Sequence, residues 1–159
     1  MAISFFFENT RVTLTERRRL KDYIERLFKS HGKALESLTY VFCTDKSLLS
    51  VNKKFLKHDY FTDIITFDLS ESKQRVVAEI YISVDRVKEN AKTLAVSIKE
   101  ELHRVMFHGV LHLCGYRDKS VNEKKNMRLE EDKNLQAYLQ SCSTGKMFQG
   151  GTFHGKHKY

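Results

Sequence analysis

Several features that define other classes of protein are rare or missing in this sequence. There is no proline and no tryptophan, and the three cysteines, Cys43, Cys114 and Cys142, lie far apart. An odd, scattered set of cysteines argues against a disulfide framework or a disulfide-linked partner, and no C-x-x-C pair offers the thiolates of a structural zinc site. No apolar run is long enough to span a bilayer. We therefore expect neither a membrane protein nor a disulfide-stabilised secreted domain.

The N-terminus also lacks the features of a secretory signal. The segment MAISFFFENTRV has no basic leader and no small-residue cleavage site, and it predicts a strand instead. We therefore expect a cytoplasmic protein with reduced thiols. The chain of 159 residues contains no internal repeat and favours one domain with one core. We predict that residues 1–142 form this domain and that the Gly-rich, basic residues 143–159 form a flexible tail.

Positive charge is in clear excess over negative charge. The chain has 28 Lys and Arg residues against 20 Asp and Glu residues, which gives a formal net charge of +8. Such a balance favours polyanionic partners such as nucleic acid. Many basic proteins bind no nucleic acid, so the function has to be argued from a site.

Hydrophobic periodicity predicts secondary structure in the order β-α-β-α-β-β-α-α-α. This order is typical of an α+β domain, and we expect a small mixed β-sheet of about four strands packed with about five helices. Two pairs of residues, Thr13 with Glu16 and Ser97 with Glu100, have the spacing of capping boxes at helix starts. The second of these helices leads into the segment HGVLHLCGYRD, residues 108–118.

HGVLHLCGYRD has the pattern of a metal site on a helix and the turn that follows it. On a helix, His108 and His112 lie about 40° apart on one face, as two ligands of one metal ion must. Gly115 can end the helix, and the chain can then turn and bring Asp118 to the pair. Two imidazoles and a carboxylate leave one position open, which is typical of catalytic zinc sites. His103 points about 140° away from His108 and is not expected to join them.

Two other interpretations of this segment stay open. A bare H-x-x-x-H is often no more than two ordinary helix residues. The spacing also matches the H-E-x-x-H-x-x-G-x-x-H motif of zinc peptidases. However, Gly109 stands where the peptidases have the Glu that activates water, and Asp118 stands where they have a third His. The missing general base argues against a peptidase.

Three segments of the chain resemble one known family. HGVLHLCGY (108–116) resembles the H-G-x-L-H-L-x-G-Y signature of the YbeY family, metal-dependent bacterial endoribonucleases of rRNA maturation. NKKFLKHDYFTDIITF (52–67) resembles the family segment N-x-x-[YF]-R-x-K-D-x-P-T-D-V-L-S-F, and AEIYIS (78–83) resembles the family strand G-[DE]-I-x-I-[SC]. The order and spacing of all three agree. The resemblance implies a single metallohydrolase domain that cleaves RNA.

The resemblance also implies an RNA-binding role for the segment around residues 52–67. The arginine of the family falls on Leu56 here, and its proline falls on Phe61. Nearby lysines could contact phosphates, although a lysine lacks the bidentate fork of arginine. A solvated helix end is the alternative interpretation of this basic cluster. The candidates for RNA binding are Lys53, Lys54, Lys57 and His58.

The family pattern does not determine two features of this chain, the third metal ligand and the catalytic base. Asp118 occupies the place of the third His of the family, so a divalent ion on the two His and this Asp would keep a net charge near +1. Zn²⁺ suits such a site, and a harder ion such as Mn²⁺ would compete better than at three His. The candidates for the general base are Asp59 and Asp63, and Asp63 has an alternative role in holding a ligating His.

We consider three functions. The first, which the resemblance implies, is a metal-dependent, single-strand-specific endoribonuclease that processes precursor rRNA of the small ribosomal subunit at its 3′ end and acts in ribosome quality control. The second is a zinc-dependent hydrolase of another class, such as a peptidase. The third is a ribosome-associated RNA-binding protein with a structural metal.

Overall fold

The structure is a computed structural model that describes residues 2–141. Within this range the chain forms four strands and five helices in the predicted order. The predicted tail, residues 143–159, lies outside the described residues. The elements are β1 (Ile3–Phe7), α1 (Arg17–Ser30), β2 (Ala34–Cys43), α2 (Asp45–Leu56), β3 (Ile64–Asp68), β4 (Arg75–Ser83), α3 (Val84–Leu94), α4 (Ile98–Leu113) and α5 (Val121–Ser141).

One mixed sheet with the strand order β1-β2-β4-β3 organises these elements. Strands β1, β2 and β4 run parallel, and Tyr40 of β2 pairs with Ile80 of β4. Strand β3 runs antiparallel to β4 and places Thr66 beside Ile80. The prediction of an α+β domain with a small mixed sheet of four strands and five helices is confirmed.

The sheet buries one set of alternate residues beneath α1 and α4, as the two-residue period of a strand requires. A smaller cluster of Cys43, Leu48 and Ile65 lies apart from this core and includes a residue of α2. The residues of β2 and β4 that enter the main core are Leu38, Tyr40, Phe42, Val76, Ala78, Ile80 and Ile82.

Helix α4 lies between the sheet, α3 and α5, so ten of its 16 residues are buried. It begins as predicted, because the Ser97 hydroxyl accepts a hydrogen bond of 3.0 Å from the backbone N–H of Glu100. His103 is buried and its ring stacks on Tyr138 at a centroid distance of 5.1 Å. It is a packing residue, in agreement with its exclusion from the metal site. Gly115, at φ +104°, ends the helix in a conformation that favours glycine.

The predicted capping box at the start of α1 is wrong. The helix begins at Arg17, and Glu16 before it has left-handed backbone angles and makes no side-chain cap. Leu14 is buried in the main core, which holds Thr13 and its neighbours outside the helix. The Glu16 carboxylate instead pairs with Arg19 at 2.9 Å.

None of the helices within residues 2–141 combines the length and the apolar character needed to cross a membrane. Cys43 and Cys114 are free thiols. Cys142 lies outside the described residues.

Candidate metal centre

The last turns of α4 and the turn after them bring the three predicted metal ligands together. His108 and His112 project from the same side of α4, with ring centroids 4.6 Å apart. The Oδ2 atom of Asp118 lies 3.4 Å from Nε2 of each histidine. One candidate ligand atom from each residue lies within 4.8 Å of the others. This group could hold a divalent metal ion.

The Nδ1 atom of each histidine lies within hydrogen-bond distance of an oxygen, and this contact determines the protonation of Nε2. His108 Nδ1 lies 2.8 Å from Oε2 of Glu131, and His112 Nδ1 lies 3.0 Å from the backbone oxygen of Tyr116. Because both oxygens only accept, each Nδ1 carries the proton, and a neutral ring then presents the lone pair of Nε2 to Asp118. This is the tautomer that a metal ion requires.

The distances around Asp118 also fit a tetrahedral ion. Bonds of about 2.1 Å from a tetrahedral zinc ion to nitrogen or oxygen place neighbouring ligand atoms about 3.4 Å apart. This is the spacing of Asp118 Oδ2 from both histidine nitrogens. His108, His112 and Asp118 would supply three ligands from the protein beside an open cleft, whereas a structural zinc site usually has four.

Glu131 of α5 is a functional candidate that the sequence did not reveal. It is buried, contacts His108, and pairs with Arg104 at 3.5 Å. Burial acts to lower the pKa of His108, but the hydrogen bond and charge of Glu131, together with the charges of Asp118 and Asp63, outweigh this effect, so the pKa of His108 is raised. In the sequence, Glu131 belongs to the polar run RLEEDK, which is typical of an exposed helix face. Only the packing of α5 on α4 identifies it.

We expect Glu131→Gln to weaken zinc binding by about 10-fold or more, because a carboxylate partner orients a ligating histidine and raises its basicity. Titration calorimetry of Zn²⁺ into metal-stripped protein measures the affinity. Asp132→Asn is the matched control, since Asp132 also pairs with Arg104, at 2.7 Å, but has no contact with His108 among the pairs of the described residues. Equal affinities for both variants would contradict this role of Glu131.

The cluster opens into a cleft with a volume of about 690 Å³, within the usual range of ligand sites. Its lining carries more acidic than basic side chains, with five carboxylates and two guanidinium groups. A bound cation would therefore be attracted to the cleft, whereas a polyanion would be repelled until a cation is present. The charged lining residues are Asp63, Asp68, Glu101, Asp118 and Glu131, with Arg104 and Arg128.

The two candidates for the general base occupy different positions. Asp63 lines the cleft, and burial raises its pKa, although His108 acts in the opposite direction. Asp59 is not part of the lining among the described residues; its side chain is 77% exposed and pairs with Lys53 at 3.2 Å. A carboxylate with a perturbed pKa in a cleft is the better candidate, so Asp63 is favoured over Asp59, and the role of a general base stays a prediction.

One of the four candidates for RNA binding lines the cleft, and the other three do not. His58 lines the cleft, whereas Lys53, Lys54 and Lys57 lie on the exposed end of α2 and the residue after it, beyond the described lining. Lys54 places Nζ 5.4 Å from the ring centroid of Phe55. A contact between these lysines and RNA stays a prediction.

Comparisons with known proteins identify the family of this chain. The family model described as Endoribonuclease YbeY matches residues 6–139. The chain is 47% identical over 133 residues to Endoribonuclease YbeY of Cytophaga hutchinsonii, covering 84% of this chain and 93% of the relative. It is 37% identical over 142 residues to Endoribonuclease YbeY of Parabacteroides distasonis, covering 89% and 99%. The chain belongs to the YbeY family of endoribonucleases. The enzyme is therefore a hydrolase that acts on RNA.

A solved structure shares the fold of this chain. The solution structure of TM1509 from Thermotoga maritima superimposes with a TM-score of 0.59 at 23% sequence identity, covering 94% of this chain and 99% of the other. At this identity the likeness concerns the fold alone. Within the YbeY segment 52–67, Leu56 lines the cleft at the position expected for an arginine, so this chain has an apolar side chain there.

Glu101, two turns before His108 on α4, is a second acidic residue of the YbeY cleft with an unusual environment. Its side chain is 4% exposed, and Oε2 has no hydrogen-bond partner among the described residues. Burial raises the pKa of Glu101 to about 7, although Arg104 opposes the shift. The carboxyl group is thus half protonated near neutral pH, while the partly exposed neighbour Glu100 is not part of the described cleft lining.

This environment predicts a pH-dependent stability. Between the ordinary carboxyl pKa of 4.5 and about 7, the folded protein holds the Glu101 proton and the unfolded chain does not. Stability therefore falls as the pH rises through this window, and Glu101→Gln should remove about 1 to 2 kcal/mol of the fall, after a discount for solvent screening. Chemical denaturation of metal-free protein at pH 5 and pH 8 measures the difference. Glu100→Gln is the control; equal pH dependence in both variants would refute the assignment.

Proposed function

We propose that this YbeY endoribonuclease cleaves single-stranded precursor rRNA at a divalent metal ion held by His108, His112 and Asp118. The observation that supports the proposal most strongly is the convergence of three candidate ligand atoms beside an open cleft, with Asp118 Oδ2 3.4 Å from Nε2 of each histidine. The substrate we propose is the 3′ end of small-subunit rRNA, together with rRNA of defective ribosomes. A bacterial ribosomal substrate implies that the enzyme works in the cytoplasm.

The donor set favours zinc as the resident ion. Imidazole nitrogens suit zinc, and the single carboxylate makes manganese the main competitor. When bound, the ion would act as a Lewis acid towards a phosphoryl oxygen and would lower the pKa of water at the site. Glu131 and the Tyr116 carbonyl hold the two imidazoles in the ligating tautomer throughout.

The remaining cleft residues would position the substrate and move the proton. Asp63, with its raised pKa, would accept a proton from the attacking water. Arg128 lines the same cleft and would bind a phosphate through its guanidinium fork, in a chain that has Leu56 in place of the family arginine. His58 lies on the rim and would contact the strand next to the cleaved bond.

An assay with three substrates distinguishes the proposed function from the two alternatives, a peptidase and an RNA-binding protein with a structural metal. Purified protein with and without added Zn²⁺ is incubated with single-stranded RNA, with the same RNA annealed to its complement, and with casein. Zinc-dependent cleavage of the single strand, with weaker cleavage of the duplex and none of casein, is the expected result. Casein cleavage would show a peptidase. RNA binding without cleavage under any metal condition would show a binding protein with a structural metal.

A further inference from the structure

Exposed aromatic and apolar side chains are concentrated at one side of the cleft. Phe55 and Leu56 end α2, Tyr60 and Phe61 lie in the segment before β3, and each of the four is at least 40% exposed. Large apolar side chains grouped on a surface mark interaction sites more often than single ones do. Leu56 and Tyr60 also line the cleft that contains His108, His112 and Asp118. The group, which we call the aromatic rim, therefore continues the candidate active site.

Tyr60 is held in a defined position within the aromatic rim. Its ring stacks on His58 with a centroid distance of 5.1 Å and an interplanar angle of 21°, and its hydroxyl lies 3.0 Å from His58 Nδ1. The buried Asn52 side chain donates a hydrogen bond of 2.9 Å to the backbone oxygen of Tyr60. The backbone oxygen of Asn52 accepts a second hydrogen bond from the backbone N–H of His58. Tyr60 nevertheless remains 57% exposed, so ring surface is open to the cleft.

Several cationic side chains border the aromatic rim. Lys54 lies over the Phe55 ring, and the guanidinium of Arg86 lies 5.2 Å from the centroid of Phe61. Lys57 is exposed directly after α2. Arg86 also pairs with Asp45 at 3.0 Å, so the exposed lysines supply the charge that is open to a ligand. Aromatic rings beside cationic side chains are the combination that binds single-stranded nucleic acid, because bases stack on the rings while phosphates meet the charges.

We propose that the His58–Tyr60 pair is a stacking subsite for one unpaired nucleobase of the RNA strand, beside the metal cluster. This inference rests on the proposed function. A base within a duplex is already stacked on both faces and cannot reach the pair, whereas an unpaired base can turn out onto an aromatic ring. The subsite thus gives a physical reason for a preference for single strands.

The test uses single-stranded RNA that carries the fluorescent base 2-aminopurine at one position at a time. Rapid mixing with zinc-loaded enzyme records stacking as a loss of fluorescence before cleavage occurs. We expect this loss at one or two neighbouring positions only. Tyr60→Ala should abolish it and raise the Kd for RNA by about 5- to 100-fold, while Tyr60→Phe and Tyr60→Trp should retain it.

Phe6→Ala is the matched control, because Phe6 is also 57% exposed but lies on β1, at the opposite edge of the sheet from β3. Unchanged fluorescence and affinity in Tyr60→Ala, with normal cleavage by the wild type, would overturn the subsite and leave the proposed function intact. Absence of both RNA binding and cleavage in the wild type would overturn both. Loss of binding to the small ribosomal subunit in Tyr60→Ala, with unchanged binding to free RNA, would assign the aromatic rim to a protein partner instead.

Discussion

Replacing His108 by alanine is expected to slow the cleavage of single-stranded RNA by about 10³-fold or more. Loss of a residue that merely orients a ligating histidine typically costs about 10- to 100-fold in metal affinity or activity, so loss of the ligand itself should cost more. The fold should survive, because the His108 side chain is 21% exposed and borders the open cleft. Initial rates with a fluorescent oligonucleotide, together with metal content by mass spectrometry, measure the effect.

A histidine outside the cleft provides the control for this experiment. His31 is partly exposed and lies 3.1 Å from the Tyr116 hydroxyl, but it is not part of the described cleft lining. We expect His31→Ala to retain its metal and most of its activity, and His112→Ala to behave like His108→Ala. Equal rates in His108→Ala and the wild type at saturating zinc would contradict the metal site.

Gly109→Ala is expected to lower the free energy of unfolding by about 1 to 3 kcal/mol, although alanine is intrinsically favoured over glycine in a helix by about 1 kcal/mol. A Cβ atom at this position would lie 2.7 Å from Ile80 Cδ1 and 3.1 Å from Ile64 Cδ1. Ile80 is fully buried, so its side chain has little room to move. Glycine at 109 therefore allows α4 to lie directly against the sheet.

A double-mutant cycle tests this account of Gly109. Ile80→Val removes the Cδ1 atom and alone should cost about 1 kcal/mol. Combined with Gly109→Ala, it should give a loss smaller than the sum of the single losses by about 1 kcal/mol, because it removes the clash. Denaturant unfolding gives the four stabilities. Strict additivity, or a stabilising Gly109→Ala, would contradict close packing at this residue.

The same contact explains why this chain lacks the general base of the peptidases. A Glu at position 109 would have to place its side chain between α4 and the buried Ile80, where an unpaired carboxylate is strongly destabilising. The glycine is therefore a requirement of helix–sheet packing in this fold, and a peptidase mechanism would need a different placement of α4.

The sequence was sufficient to predict that His108, His112 and Asp118 come together, because they lie on one helix and the turn after it. The helical period places His108 beside His112, and the positive φ of Gly115 turns the chain so that Asp118 returns to them. The order of elements was predictable for the same reason, since each depends on local periodicity. The strand order β1-β2-β4-β3 depends on pairing between distant segments, and no local pattern encodes it.

The residues that the sequence did not reveal depend on packing between elements. Glu101 has the pattern of an ordinary acidic residue in the first turn of a helix, and only the position of α4 among its neighbours buries it. Glu131 reaches His108 because α5 packs along α4. Thr13 and Glu16 have the spacing of a capping box, but burial of Leu14 determines the path of the chain there.

The most direct test of the central claim is a metal-restoration assay. The enzyme is stripped with a chelator, and cleavage of single-stranded RNA is measured while Zn²⁺ is added back from zero to several ions per chain. We expect no cleavage by the stripped enzyme and full recovery at about one ion per chain, in the wild type but not in His112→Ala. Cleavage at the full rate by the stripped enzyme, or equal recovery in His112→Ala, would contradict catalysis at a metal held by His108, His112 and Asp118.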